Sequence, residues 1–433
     1  MSFLINNSVK FADSPSVDAF ARARVSEPFT IFDSKQLNDN QPLLWDTVGS
    51  GATSGSTWNQ LSASTVMSVG AVNNTFVIRQ TKMSFNYQPG KSQMFLMTGT
   101  MSTEANVMKR IGAMDSLNTI VAPYTPYNGI YFQNDGTNMS VNIVKNGVIS
   151  ESVNQSAWNL DNLIGTGGTG NPSKITLDMS KSQIFLMDFE WLGVGRVRTG
   201  FVFNGIPTYV HQFTHANQST GIYMGNPNLP VRYEIRSTGG AGSLEHICTS
   251  VTSEGGFNPN GITKTVTRGN TGLGFNNLVA GTIVPLISMR LKAGATNTTI
   301  IINNISMNFV IAASTTLYVQ WLLILNPTIA GSDAASWTNL TNSAVQYDIS
   351  RTTTNTLSNG TILDSGYGFV SFGNTGAGGN SSLSSEIIID TPLRLGTTIN
   401  GVLDQYVLAI QPINTAAPAT SSGYASIMFK EIA

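Results

Sequence analysis

The sequence predicts an all-β protein in which two β-sandwich domains follow an extended N-terminal arm. Charged residues make up only 11% of the 433 residues, so the Glu, Lys and Arg that favour helices are scarce. Short runs of β-branched and aromatic residues alternate with Asn-Gly, Asp-Gly and Pro-Gly pairs along much of the chain. Such runs are typical of antiparallel strands, and such pairs are typical of the turns between them.

Residues 1–45 show no sustained alternation of apolar and polar residues. Aromatic and basic residues are nevertheless interspersed between positions 18 and 35. A segment without a core of its own gains order from a neighbour, so we predict an arm that docks on another chain or another domain. The alternative is an ordinary first strand and loop. The anchors that we expect in the arm are Phe20, Arg22, Arg24, Phe29 and Phe32.

Two domains are predicted after the arm. Residues 46–255 form the first β-sandwich, and residues 256–433 form the second, with the junction in the Gly- and Asn-rich stretch 253–262. The second domain is poorer in charge than the first. From residue 293 onward, its basic residues are Arg351, Arg394 and Lys430 alone.

The stretch TLYVQWLLILNP, residues 316–327, is apolar on both faces of a predicted strand. A surface strand of an antiparallel sheet normally keeps one face polar, so this strand needs a second layer or a subunit interface. Depletion of charge is typical of interface cores. We therefore predict a homo-oligomer with closed symmetry, a trimer being favoured, whose contact surface lies in residues 263–433. Polar residues at 314–316 argue against a membrane span over 309–327.

The stretch DFEWLGVGRVRTGFVFNG, residues 188–205, carries two carboxylates two residues apart, at a Cα separation of about 6.6 Å on a strand. That separation is near the one that retaining glycosidases use. A hairpin with Gly195 in the left-handed conformation places Glu190 directly opposite Arg198, with Asp188 diagonal to it. Arginines hold carboxylates ionised, which makes them unfit as general acids. We therefore predict a structural ion-pair cluster of Asp188, Glu190 and Arg198 and no catalytic site.

The remaining chemistry-bearing residues predict neither a metal nor a cofactor site. His211 and His215 are four residues apart, a spacing that converges on a metal from a helix, whereas the preceding residues predict a strand. The single cysteine, Cys248, excludes an intramolecular disulfide, so we expect folding in a reducing cytoplasm. With 23 basic and 24 acidic residues, the chain offers no electrostatic footprint for nucleic acid or an anionic membrane.

The sequence contains the phrases DAFARARVSEPFTIFDSKQ, RQTKMSFNYQPGKSQ, DFEWLGVGRVRTGFVFNG, HQFTHAN and NPNLPVRYEI. Together these phrases resemble an uncharacterised family of virion proteins from tailed phages and large DNA viruses. The resemblance covers about residues 17–256 and implies a non-enzymatic structural component of a virus particle, such as a minor capsid, decoration or tail protein. It further implies other virion proteins as partners, and folding in the host cytoplasm before assembly into the virion.

The first predicted sandwich is also similar to the jelly roll of concanavalin-type lectins. Many domains of that type bind sugar, so the alternative function is a receptor-binding or adhesive fibre or spike protein that recognises a host surface glycan. Calcium-dependent lectins hold their ion with clustered Asp and Asn, and the sequence shows no such cluster.

Overall fold

A computed structural model describes residues 27–116, 125–275, 278–311, 316–370, 379–386, 394–414 and 421–432. Regular structure in these ranges is antiparallel β-strand, apart from one short 3-10 turn at Gln155–Ala157. The strands form two pairs of packed sheets that follow one another along the chain. The predicted all-β fold with two β-sandwiches is therefore confirmed.

The first sandwich consists of sheet A and sheet B. Sheet A has the order β13-β12-β11-β6-β15-β4-β3, with β1 also paired to β15, and sheet B has the order β10-β9-β8-β7-β14-β5-β2. The strands are β1 (Pro28–Lys35), β2 (Trp45–Ser50), β3 (Gly55–Asn59), β4 (Ser64–Val69), β5 (Phe76–Thr81), β6 (Ser92–Thr100), β7 (Val107–Ser116), β8 (Pro126–Asn134), β9 (Met139–Lys145), β10 (Val148–Asn154), β11 (Ser182–Phe189), β12 (Val197–Phe203), β13 (Ile206–Phe213), β14 (Val231–Ser237) and β15 (Gly242–Glu254).

The second sandwich consists of sheet C, with the order β16-β27-β18-β25, and sheet D, with the order β21-β22-β17-β26-β19-β24. Strands β20 and β23 form a separate two-stranded ribbon. The strands are β16 (Ile262–Gly274), β17 (Val284–Leu291), β18 (Thr299–Ile311), β19 (Leu317–Leu325), β20 (Thr328–Ala330), β21 (Thr338–Asn339), β22 (Val345–Asp348), β23 (Thr356–Ser358), β24 (Thr361–Val370), β25 (Gly379–Glu386), β26 (Gln405–Pro412) and β27 (Ser422–Ile432).

Alternation along the strands and tight turns between them explain this architecture. In β6 every second residue is buried, and Phe95 and Met97 point into the core between sheets A and B. The turns Asn146-Gly147 and Asn204-Gly205 each join two paired strands through two residues with positive φ. Asn and Gly tolerate this conformation, which is why the Asn-Gly pairs mark hairpins in the sequence.

The structure corrects part of the prediction for the N-terminal segment. From Pro28 onward it is strand β1 of sheet A, so the first sandwich begins there and not at residue 46. Phe32 is 2% exposed and packs on Trp45 and Phe85, so it contacts the first sandwich, which is the second of the two docking partners predicted for the arm. Phe29 is half-exposed, and its ring stacks on Phe257, which follows β15. The predicted anchors Phe20, Arg22 and Arg24 lie outside the described residues.

Residues of the second half of the chain also rest on the outer face of sheet B. Ile399 packs against Phe76 and Ile78 of β5, and its backbone N–H donates to Asp46 Oδ2 at 2.7 Å. Asn228 Nδ2 donates to the carbonyl of Asn297 at 3.2 Å. The two sandwiches are therefore joined by apolar packing and by hydrogen bonds besides the connecting chain.

The stretch 316–327 contains β19, which lies between β26 and β24 in sheet D. Leu322 and Ile324 of its outer face are each 2% exposed, because they pack with Leu357 of the β20–β23 ribbon. The ribbon is thus the second layer for this half of the strand. Tyr318, at the other end of the same face, is 50% exposed. Within the residues that the structure describes, no helix is long and apolar enough to cross a membrane.

Candidate functional site

The charged hairpin β11–β12 places Asp188, rather than Glu190, directly opposite Arg198. The Asp188 carboxylate is 5% exposed and forms an ion pair with Arg198. Ser92 Oγ donates to its Oδ1 at 2.8 Å, and the hydroxyl of Tyr209 donates to its Oδ2 at 2.8 Å. The Arg198 guanidinium lies 4.2 Å from the centroid of the Tyr209 ring. Three donors therefore fix Asp188 as a structural anion on the outer face of sheet A.

The predicted register of this hairpin was wrong by two residues. Glu190 lies beyond the end of β11, is exposed, and is held by its backbone, whose N–H donates to the carbonyl of Arg196 at 3.1 Å. The loop is longer than predicted, and its left-handed residues are Leu192 and Gly193 instead of Gly195. The other part of the interpretation agrees with the structure, because the odd-numbered residues of β11 face the core.

The charge at Asp188 influences two neighbouring acids. Burial and the Asp188 carboxylate together raise the pKa of Tyr209 to about 12. Burial and the same carboxylate also raise the pKa of Glu254, which lies two strands away on β15. A raised pKa on one carboxyl beside an ion-paired carboxylate occurs in acid–base sites and in structural charge clusters alike. Here the Asp188 oxygens already accept hydrogen bonds from protein donors, which favours a structural charge cluster over an acid–base site.

His211 and His215 do not converge. His211 is on β13, where its Nδ1 accepts from the backbone N–H of Asn159 at 3.2 Å, and burial lowers its pKa. His215 follows β13 and lies between two acceptors, the carbonyl of Gly195 at 2.6 Å and Glu151 Oε1 at 2.7 Å. No group of three or more His, Cys, Asp or Glu in the described part of the chain is arranged to hold a metal ion.

His215 joins the edges of the two sheets of the first sandwich. A carbonyl oxygen and a carboxylate can only accept, so both hydrogen bonds form only while both ring nitrogens of His215 carry protons. Burial lowers the pKa of His215, but the hydrogen bonds to Glu151 and Gly195 outweigh burial and leave it above the ordinary value. The ring also stacks on Tyr223, with centroids 4.2 Å apart. In its imidazolium form, His215 therefore acts as a clamp between the β11–β12 loop and β10.

A surface groove of about 570 Å³ opens beside this clamp. Lys145 on its wall is oriented by a hydrogen bond from Nζ to the carbonyl of Ile222 at 2.7 Å. The wall presents hydroxyl, amide, ammonium and carboxylate groups, which can donate hydrogen bonds to a ligand or accept them from it. The polar residues that line it include Lys145, Glu151, Thr214, Gln218, Ser219 and Thr220.

An interior polar network in the first sandwich was missed by the sequence reasoning. Arg79 of β5 is 1% exposed, and it donates to His246 Nδ1 at 3.0 Å and to Thr47 Oγ1 at 3.1 Å. Burial lowers the pKa of Arg79 to about 10 and, together with the Arg79 charge, places the pKa of His246 well below its usual value. The signal in the sequence was an arginine directly after the apolar run FVI within the predicted strand TFVIRQT.

Strand β14, from the phrase NPNLPVRYEI, buries a second charge cluster. Glu234 is fully buried, with Arg232 Nη2 2.7 Å from its Oε2 and Arg110 Nη1 3.2 Å from its Oε1, and Arg236 also pairs with it. Burial raises the pKa of Glu234, but the three guanidinium groups outweigh burial and lower it to about 2. The phrases that carry the family resemblance thus supply charges of the folded frame.

The second sandwich exposes a group of large rings on the outer face of sheet D, which we call the aromatic face. Tyr318, Tyr367 and Phe369 are 50%, 67% and 58% exposed. Phe369 of β24 lies directly opposite Tyr318 of β19, with ring centroids 6.3 Å apart, and Tyr367 lies opposite Gln320. Gln411 of β26 lies on the other side of Gln320. The aromatic face is defined as Tyr318, Gln320, Tyr367, Phe369, Gln411 and Ile413.

Three solved structures illustrate what the chain is similar to. A protein of unknown function from Shewanella oneidensis MR-1 is 11% identical over 53% of this chain and 88% of its own, with a TM-score of 0.34. A Bacillus licheniformis β-glucanase is 11% identical over 55% of this chain and 100% of its own, with a TM-score of 0.32. A legume lectin-like domain from Entamoeba histolytica is 11% identical over 53% of this chain and 98% of its own, with a TM-score of 0.30.

At this level of identity and TM-score, the similarity carries no argument about ligand or activity. No protein-family model and no curated protein sequence matches the chain.

Proposed function

We propose that the chain is a non-enzymatic structural component of a virus particle, such as a minor capsid, decoration or tail protein, that acts through protein–protein contacts. The resemblance of residues 17–256 to virion proteins motivates the assignment. Within the resembling phrases, Arg79, Asp188 and Glu234 are buried and paired with protein groups, which fits a frame more readily than an enzyme.

The observation that carries the proposal is the aromatic face. Soluble monomeric proteins rarely expose large contiguous apolar surfaces, and aromatic residues are enriched at protein–protein interfaces. Tyr318, Tyr367 and Phe369 are each at least half exposed and share one face of one sheet. No element among the described residues covers this face as the β20–β23 ribbon covers Leu322 and Ile324. A surface of this kind supports a role in assembly.

Purified particles provide the test. Particles from cells in which the gene is expressed during infection should contain the chain in a fixed copy number that survives a high-salt wash. Quantitative mass spectrometry measures the copy number, and electron microscopy of the particle should show density for the two sandwiches. A chain that is recovered only in the soluble fraction of the lysate contradicts the proposal.

A second candidate function is recognition of a host surface carbohydrate, and the groove beside His215 is the observation that favours it. Its polar wall offers both donors and acceptors for sugar hydroxyls, on elements that the His215 clamp holds together. Binding to a glycan array should then be lost in Gln218→Ala and Lys145→Ala. Lys181→Ala, at an exposed site outside the groove, is the matched control. Equal binding by all three variants contradicts this function.

A further inference from the structure

We propose that the aromatic face is the contact surface of a two-fold homodimer, in which it packs against the same face of a second copy of the chain. The inference rests on the proposed structural role and deepens it, because it names one partner and the surface that this partner occupies.

The size of the face fits a dimer contact. A buried aromatic residue contributes about 150–250 Å², so three rings at half to two-thirds exposure offer roughly 350 Å². Ile413, at 47% exposure, extends the apolar area beside Tyr318, to whose carbonyl its backbone N–H donates at 3.0 Å. A standard interface buries about 800 Å² on each partner, of which about 57% is apolar, or roughly 450 Å². The aromatic face supplies most of that apolar area.

The charge of the face favours a second copy over a different protein. In a two-fold interface the same surface occurs on both partners, so a charged group near the axis faces its own copy and meets a like charge. None of the six residues of the aromatic face is charged. Gln320 carries an amide, which donates and accepts equally well and can therefore pair with its own copy, whereas the Gln411 amide already donates to the carbonyl of Gly281 at 2.8 Å. The surface is self-complementary in the sense that a two-fold axis requires.

This symmetry differs from the trimer that the sequence favoured. A ring of three joins two different surfaces of each subunit, whereas the aromatic face is one surface that matches itself. Burial of Leu322 and Ile324 under the β20–β23 ribbon also removes half of the apolar strand face that led to the trimer. The remaining half, around Tyr318, is the part that the second copy covers.

Sedimentation velocity on the full chain at about 1–50 µM, a range that brackets a micromolar dissociation constant, tests the inference. The wild-type protein should sediment as a dimer. The double variant Tyr367→Ser/Phe369→Ser should sediment as a monomer, because its dimer dissociation constant should be at least tenfold higher. The double variant Ile262→Ser/Met428→Ser replaces two exposed apolar residues on sheet C of the same sandwich and should remain a dimer. Circular dichroism and the thermal transition are the checks that both double variants stay folded.

Four outcomes overturn the inference. The wild type is a monomer at the highest concentration, the wild type is a trimer, the dimer survives Tyr367→Ser/Phe369→Ser, or Ile262→Ser/Met428→Ser dissociates the dimer as strongly as Tyr367→Ser/Phe369→Ser does. If the wild-type chain is a monomer and binds a neutral glycan through Tyr318 and Tyr367, the aromatic face is a carbohydrate-binding surface instead. Because a particle component need not self-associate, a failed dimer does not decide the particle test, and absence from particles does not decide the dimer test.

Discussion

Arg198 of β12 lies directly opposite Asp188 of β11, and its guanidinium pairs with a carboxylate that is only 5% exposed. Glu190, two residues further along the chain, is exposed beyond the end of the strand. Two acids from one short stretch therefore have opposite environments, and they provide a matched pair of substitutions.

Asp188→Asn should lower the free energy of unfolding of the first sandwich by about 2–4 kcal/mol, because a partly buried guanidinium loses its carboxylate. Glu190→Gln should change it by no more than about 0.5 kcal/mol, as is usual for exposed sites. Urea unfolding followed by tryptophan fluorescence measures both. Destabilisation by Glu190→Gln as large as that by Asp188→Asn would mean that the observed register is not the one in solution.

The sequence allowed the strand faces of this hairpin to be predicted, but not its register. Alternation of apolar residues depends only on which face is buried, so the core positions Phe185, Met187 and Phe189 followed directly. The register depends on the loop, and the loop is set by tertiary contacts. Trp191 Nε1 donates to the carbonyl of Met224 at 2.9 Å, a contact across 33 residues that no local pattern shows.

The first strand was hidden for a related reason. A β-bulge between Thr30 and Phe32 interrupts the pairing of β1 with β15, and Ile31 and Phe32 are both buried. The bulge breaks the two-residue period by which strands are recognised, so the segment looked like an arm without a core. The layer that buries Ile324 could not be predicted from the sequence either, because the ribbon residue Leu357 lies more than 30 positions away in the chain.

The buried cluster around Glu234 predicts an acid-sensitive step in stability. Its pKa is about 2 in the folded protein and about 4.3 when unfolded, so folding favours the ionised carboxyl. This stabilisation, about 3 kcal/mol, is fully present above the unfolded pKa and is lost as pH falls from about 5 towards 2. Urea midpoints measured across this range should therefore drop steeply with acid.

Glu234→Gln is the control for the acid-sensitive step. It should destabilise the first sandwich by about 3–5 kcal/mol at neutral pH, because three guanidinium groups lose their buried carboxylate. It should also flatten the dependence of the urea midpoint on pH below 5. A slope that is the same in the wild type and in Glu234→Gln would assign the acid sensitivity to other carboxyl groups.

The His215 clamp predicts a loss of stability with alkali. The folded pKa is raised above the unfolded value of about 6.5, so the stabilisation is fully present below that value. It is lost as pH rises through the folded pKa, when the imidazolium releases a proton and one of its two acceptors loses a donor. Titration of the ring protons by NMR gives the folded pKa, and thermal unfolding between pH 6 and 9 gives the stability.

His211→Gln provides a contrast of opposite sign to His215→Gln. The pKa of His211 is lowered in the folded protein, so its effect on stability appears as pH falls through the unfolded value. His215→Gln should remove the loss above neutral pH, and His211→Gln should leave that loss in place. If His215→Gln keeps the full alkaline loss, the two-acceptor clamp does not exist in solution.

Gly366 of β24 is required by the indole of Trp321, which lies directly opposite it on β19. A Cβ at this position would lie 2.5 Å from Trp321 Nε1, and Trp321 is 5% exposed in the core of the second sandwich. Gly366→Ala should therefore destabilise that sandwich by about 1–3 kcal/mol through overpacking. Gly269→Ala, where a Cβ meets nothing within 4 Å, should be neutral. The double variant Gly366→Ala/Trp321→Phe should recover part of the loss, because the smaller ring vacates the space. Thermal unfolding of the wild type, Gly366→Ala, Trp321→Phe and the double variant measures this coupling, with Gly269→Ala as the control. Strictly additive effects of Gly366→Ala and Trp321→Phe would show that the methyl group and the indole do not meet.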